Sequence, residues 1–87
     1  MTNMRAKFQI TFVQENFYGE DKAKSSEVLS MCAVAKSTAY PDDGTDDDNN
    51  YAKWSPSANL QIQIANPNLW GKFKVGEKFY VDFTPAV

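Results

Sequence analysis

Three segments of the chain alternate apolar and polar side chains with period two, and this constrains the fold more than any other feature of the sequence. In residues 5–13, Phe8, Ile10 and Phe12 share one face, with Lys7, Gln9 and Thr11 on the other. In residues 59–65, Leu60, Ile62 and Ile64 alternate with Gln61 and Gln63. In residues 77–84, Phe79, Val81 and Phe83 alternate with Lys78, Tyr80 and Asp82. Successive side chains of an extended strand point to opposite sides, so each segment reads as a half-buried β-strand.

The turn residues agree with this division. Gly19 lies among charges in residues 16–24 and marks a turn, with Phe17 and Tyr18 extending the first strand into it. Ser55-Pro56-Ser57 is a turn, because proline lacks a backbone donor and restrains Ser55 before it. Asn66-Pro67 ends the middle strand, Val75-Gly76 turns the chain again, and Pro85 stops the last strand. Leu69-Trp70-Gly71 is expected to turn tightly and drop Leu69 and Trp70 onto the core, and residues 51–54 to form a short edge strand. Residues 27–36 are ambiguous. Val28 and Val34 favour a strand, whereas Leu29, Met31, Ala33 and Ala35 also suit a short amphipathic helix. A strand is expected, since a hairpin with the first segment buries both apolar faces. The expected fold is one all-β, mainly antiparallel domain over residues 1–87. Its four or five strands would form a small sandwich or barrel, with one long acidic loop at 41–50.

Eighty-seven residues make one domain. With 43% hydrophobic and 23% charged residues the chain is globular and not disordered. Its net charge is −2, and five of its eleven acids are Asp42, Asp43, Asp46, Asp47 and Asp48. The remainder holds nine basic and six acidic residues, so a mildly basic body carries one strongly acidic loop. The first five residues hold no apolar stretch of a signal peptide, and no apolar run approaches the roughly 20 residues that span a bilayer. A protein made in a cytoplasm, with no membrane partner, is expected.

The composition argues against catalysis. There is no histidine, which removes the commonest general base and metal ligand and every Ser-His-Asp or Cys-His arrangement. A single cysteine, Cys32, allows neither an internal disulfide nor a thiolate cluster, and reads as a small buried hydrophobe. The four glycines are scattered and cradle no phosphate. Carboxylates concentrate in a solvated loop where nothing separates the pKa of one from that of its partner. The reading is therefore a non-enzyme with no cofactor and no metal. Calcium is the sharpest metal alternative for the acidic loop, but an EF-hand counted back from Gly44 puts Ala39 and Pro41 where acids belong.

Binding residues remain. Asp46, Asp47 and Asp48 offer an acidic contact to a basic partner, and Tyr51, Lys53 and Trp54 beside them have the aromatic character of interfaces, although the preferred reading of Trp54 is a cap on the open end of a small core. Lys72, Lys74, Lys78 and Tyr80, around Phe73, form a lysine–aromatic set of the kind that binds single-stranded nucleic acid. The net charge and the plain role of lysines as protectors of a strand edge argue against that use.

Residues 49–64, Asn-Asn-Tyr-Ala-Lys-Trp-Ser-Pro-Ser-Ala-Asn-Leu-Gln-Ile-Gln-Ile, and residues 71–86, Gly-Lys-Phe-Lys-Val-Gly-Glu-Lys-Phe-Tyr-Val-Asp-Phe-Thr-Pro-Ala, resemble a family of small, mostly uncharacterised tailed-bacteriophage proteins. Those proteins share a Thr/Ser-Pro turn, an alternating strand, and a Tyr-rich final strand ending in Asp-Phe-Thr. Val28-Leu29-Ser30 and Ala33-Val34 resemble the family's second strand. The likeness covers about half the chain and departs at Ala58-Asn59, where the family usually has glycine, and in the aspartate insertion. It implies phage origin and carries no catalytic residues. The expected role is a virion component, a capsid decoration or minor structural protein acting through contacts with capsid proteins or with copies of itself. The alternatives are a host-takeover or anti-defence binder, which would meet a host protein or sequester a signal nucleotide, and a single-strand-binding barrel.

Overall fold

The computed structural model describes residues 3–20 and 22–87; Met1, Thr2 and Asp21, the last within the expected turn, lie outside the described residues. The strands are β1 (Arg5–Tyr18), β2 (Ala23–Ala33), β3 (Asn59–Ile64) and β4 (Lys78–Asp82), with a 3-10 turn at Pro67–Leu69. They form one antiparallel sheet in the order β3-β2-β1-β4. The all-β expectation holds, and the ambiguous 27–36 segment is strand up to Ala33, not helix. Residues 51–54 form no strand, and only Lys53 makes an isolated bridge, to Thr45.

The sheet is open, which corrects the sandwich or barrel. Among the described residues all four strands lie in this one sheet, so its apolar face is covered by loops instead of by a second sheet. Ala6, Phe8, Ile10, Leu29, Met31 and Ile64 form the buried core, and Tyr51, Ala58, Trp70 and Phe73 pack over it from the connections. Phe73 meets Phe79 edge-on at 5.6 Å between ring centroids. Leu69 stays exposed where Trp70 is drawn in. The result is thin, with principal extents of 57 × 32 × 17 Å.

β1 does not keep a single phase. The ladder with β2 shifts by one residue between Ile10↔Met31 and Phe12↔Ser30. The extra residue, Thr11, is a β-bulge, and a bulge turns every later side chain to the opposite face. Phe12 is therefore 55% exposed on the outer face, and Val13 takes the inward place opposite Leu29. Beyond the bulge β3 still flanks β2 as far as Glu27; only from Asn16 and Ser26 do β1 and β2 continue as a two-stranded arm, ending at Tyr18 and Ala23, and Phe12, Phe17 and Tyr18 are all exposed. Cys32 is also outward and exposed, not buried; its partners in the ladders are Gln9 and Asn59.

Candidate interaction surface

The acidic loop is ordered by side chains bonded to backbone. Asp46 is fully buried. One carboxylate oxygen accepts from the backbone N–H of Asp48 (2.9 Å) and of Asn49 (3.1 Å); the other accepts from Lys36 N–H and from the Asn49 amide, both at 3.2 Å. Burial alone would raise the Asp46 pKa, but these donors outweigh it and hold the carboxyl below its ordinary range.

Asn49, also fully buried, extends the arrangement into the sheet. Its Oδ1 accepts from Lys7 N–H at 2.8 Å and its Nδ2 donates to the Val34 carbonyl at 2.8 Å. Val34 N–H in turn donates to the Lys7 carbonyl. The Asn49 carboxamide is thus interposed in the ladder where β2 ends and β1 runs on. Asn50 repeats the device one step along, accepting from Arg5 N–H at 2.9 Å and donating to the Asn3 carbonyl at 2.8 Å. Backbone groups that would otherwise lack partners are satisfied by this pair.

This placement divides the expected acidic contact. Asp46 is internal, and Asp48 is engaged by Lys7 (3.3 Å) and by the Tyr80 hydroxyl (3.1 Å), so Asp47 alone of the three is exposed. Among the described residues no three His, Cys, Asp or Glu side chains converge on a point where an ion could sit. No helix there is long and apolar enough to cross a membrane.

Tyr51, Lys53 and Trp54 also part company. Tyr51 packs against the core; its hydroxyl is buried without a hydrogen-bond partner, and burial, followed by the nearby Asp46 charge, raises its pKa. Lys53 is exposed. Trp54 is 51% exposed and does not cap the core. Its ring lies on Gly44 and beside Tyr40 (5.8 Å between centroids), and its backbone N–H donates to the Gly44 carbonyl at 2.8 Å. Trp54 has φ +65°, a left-handed conformation rare for a bulky residue and costly where it occurs. Gly44 has φ +76°, and a Cβ there would lie 2.5 Å from the Trp54 ring. Gly44→Ala is expected to cost about 1–2 kcal/mol from backbone conformation alone. It should also push the Trp54 ring off Tyr40, which near-UV circular dichroism would register; an unchanged spectrum and melting curve would refute the packing of Trp54 on Gly44.

The lysine–aromatic set is split as well. Lys72 and Lys74 flank Phe73 in the loop after Trp70, whereas Lys78 and Tyr80 lie on β4 opposite Gln9 and Lys7. Arg5 covers one face of the Tyr80 ring at 4.5 Å and binds Asp82 through two contacts of 2.6 and 3.1 Å. Tyr80 therefore sits among carboxylates with one face already occupied.

Two features were not singled out from sequence. The first is an apolar groove of about 260 Å³ at the mouth of the core, where Met4, Phe8, Tyr51, Leu60, Val81 and Phe83 meet. The second is Glu27, buried and facing the loop that carries Trp70. The alternation of Leu60, Val81 and Phe83 marked an apolar face but not that the face stays partly open. The chain matches no protein-family model, no curated protein and no solved structure.

Proposed function

We propose that this protein is a non-enzymatic component of a tailed-bacteriophage particle, made in the host cytoplasm and working through protein–protein contacts as a capsid decoration or minor structural protein. The observation that carries the reading is the amount of large apolar side chain left at the surface of so thin a sheet. Phe12, Phe17, Tyr18, Trp54, Ile62, Tyr80 and Phe83 are all exposed. Single exposed hydrophobes are ordinary, but aromatic side chains spread over one elongated sheet and the loops beside it are the anchors that interfaces use. The resemblance of residues 49–64 and 71–86 to small phage proteins supplies the setting. The acidic loop supports the host-directed reading less, because Asp46 and Asp48 serve the fold. Mass spectrometry of purified particles is expected to find the protein in many copies per virion; its absence from particles and abundance in the infected-cell lysate would refute the role.

A further inference from the structure

The sheet exposes the outer edges of β3 and β4, and the two are built differently. β4 carries Lys78 and Asp82 and is preceded by Glu77, and charges on an edge discourage pairing with another chain. β3 carries none. From Trp54 to Gly71 the chain has no charged residue at all, although 23% of its residues are charged. Within β3, Leu60, Ile62 and Ile64 line the apolar face, with Ile62 still 42% exposed, and Gln61 and Gln63 line the other.

The backbone of β3 is poised for a further strand. Ala33 N–H donates to the Ala58 carbonyl, which sets the phase of the β2–β3 ladder. By antiparallel alternation, the amide groups of Leu60, Ile62 and Ile64 point to β2, and those of Asn59, Gln61 and Gln63 point out of the sheet. Pro56 and Pro67 bracket the segment and confine pairing to it.

The chain's exposed area suits such a partner. Its surface of 6279 Å² exceeds by roughly 1,100 Å² what a compact monomer of its mass exposes. A specific interface takes about 800 Å² from each partner. Its radius of gyration is 16.1 Å, against about 12 Å for a compact chain of this length.

We propose that β3 pairs antiparallel with β3 of a second copy of this chain, joining two four-stranded sheets into one continuous sheet. A second copy fits because the edge is neutral and self-complementary. A two-fold axis at Ile62 places Ile62 against its own copy, Leu60 against Ile64 and Gln61 against Gln63. Apolar residues then meet apolar on one face and amides meet amides on the other, while the outward groups of Gln61 and Gln63 form the hydrogen-bonded pairs.

Sedimentation equilibrium of the whole chain tests the proposal independently of any role in a virion. Wild type is expected to be a dimer. Ile62→Lys, which sets two like charges face to face, should weaken it on the order of a hundredfold. Gln61→Pro should do the same by removing an outward N–H while leaving the β2–β3 bonds intact. Circular dichroism checks that both variants remain folded. If Gln61→Pro does not fold, amide exchange decides: Gln61 and Gln63 N–H should be protected in wild type and fast in Ile62→Lys. Ile62→Cys in a Cys32→Ser background should form a covalent dimer on mild oxidation. A monomeric wild type at its highest soluble concentration overturns the proposal. So does a dimer that survives Ile62→Lys but is lost with Tyr18→Lys on the arm.

Discussion

Replacing Asp46 by alanine is expected to lower folding stability by about 3 kcal/mol, a large share of the total for a chain of this length. The carboxylate is the common acceptor for three backbone N–H groups and the Asn49 amide, in a site closed to water. Each donor left buried without an acceptor costs about 1–3 kcal/mol, and opening the loop to rehydrate them limits the sum. That opening has its own consequence. Asn49 would leave Lys7 N–H and the Val34 carbonyl, so the first residues of β1 should fray with the loop. Urea unfolding should show a lower midpoint and, because the opened loop already exposes surface in the folded state, a slightly smaller slope, and Lys7 N–H should lose exchange protection.

The pH dependence follows from the same bonds. The folded Asp46 carboxyl lies below its ordinary value despite burial, because its donors favour the charged form. Its contribution is therefore complete above the unfolded value, near pH 4, and is lost as pH falls through the folded value. Glu27, held low first by its bond from Lys24, and Asp82, held low first by its bond from Arg5, act in the same direction. Stability should stay level from neutrality down to about pH 5 and decline below it. In Asp46→Asn the acid limb should be shallower; an unaltered limb and midpoint would show that the loop does not depend on this carboxylate.

What the sequence made legible was whatever is local. The alternations at Phe8–Ile10, Leu60–Ile64 and Phe79–Val81 located β1, β3 and β4 because side-chain direction in a strand depends only on neighbours. Gly19 and Pro67 located turns for the same reason. Phe12 was misplaced because a bulge changes the phase of a strand without changing its composition, and threonine at position 11 is an ordinary strand residue that signals no bulge. The acidic loop read as solvated because what folds it onto the sheet is bonds between residues 42 and 45 positions apart, Lys7 to Asn49 and Arg5 to Asn50, and these bury the local bonds around Asp46. The candidate contact residues suffered most from this. Asp46 and Tyr51 look like surface residues in a polar run, and become internal only once the run is folded back on β1.

Glu27→Ala is the second large effect, expected to cost about 3 kcal/mol. Glu27 lies on the inner face of β2 opposite Ile64 and is buried. It accepts from Lys24 Nζ at 2.6 Å and, through both oxygens, from Gly71 N–H at 3.1 and 3.3 Å. Lys24 also stands 5.0 Å from the centre of the Trp70 ring, whose Nε1–H donates to the Ile64 carbonyl. The carboxylate thus fastens the loop that lays Trp70 and Phe73 over the apolar face. Its removal should shift tryptophan emission to the red and let a hydrophobic dye bind the uncovered core. Two contributions are separable. Replacing a paired charge couple by apolar residues of similar size is often neutral, because the desolvation cost of both charges disappears with their attraction. A Lys24→Met/Glu27→Met double variant should nevertheless remain less stable than wild type, since Gly71 N–H would still lack its acceptor. A double variant as stable as wild type would assign the fastening to the ion pair and remove the backbone bond from the account.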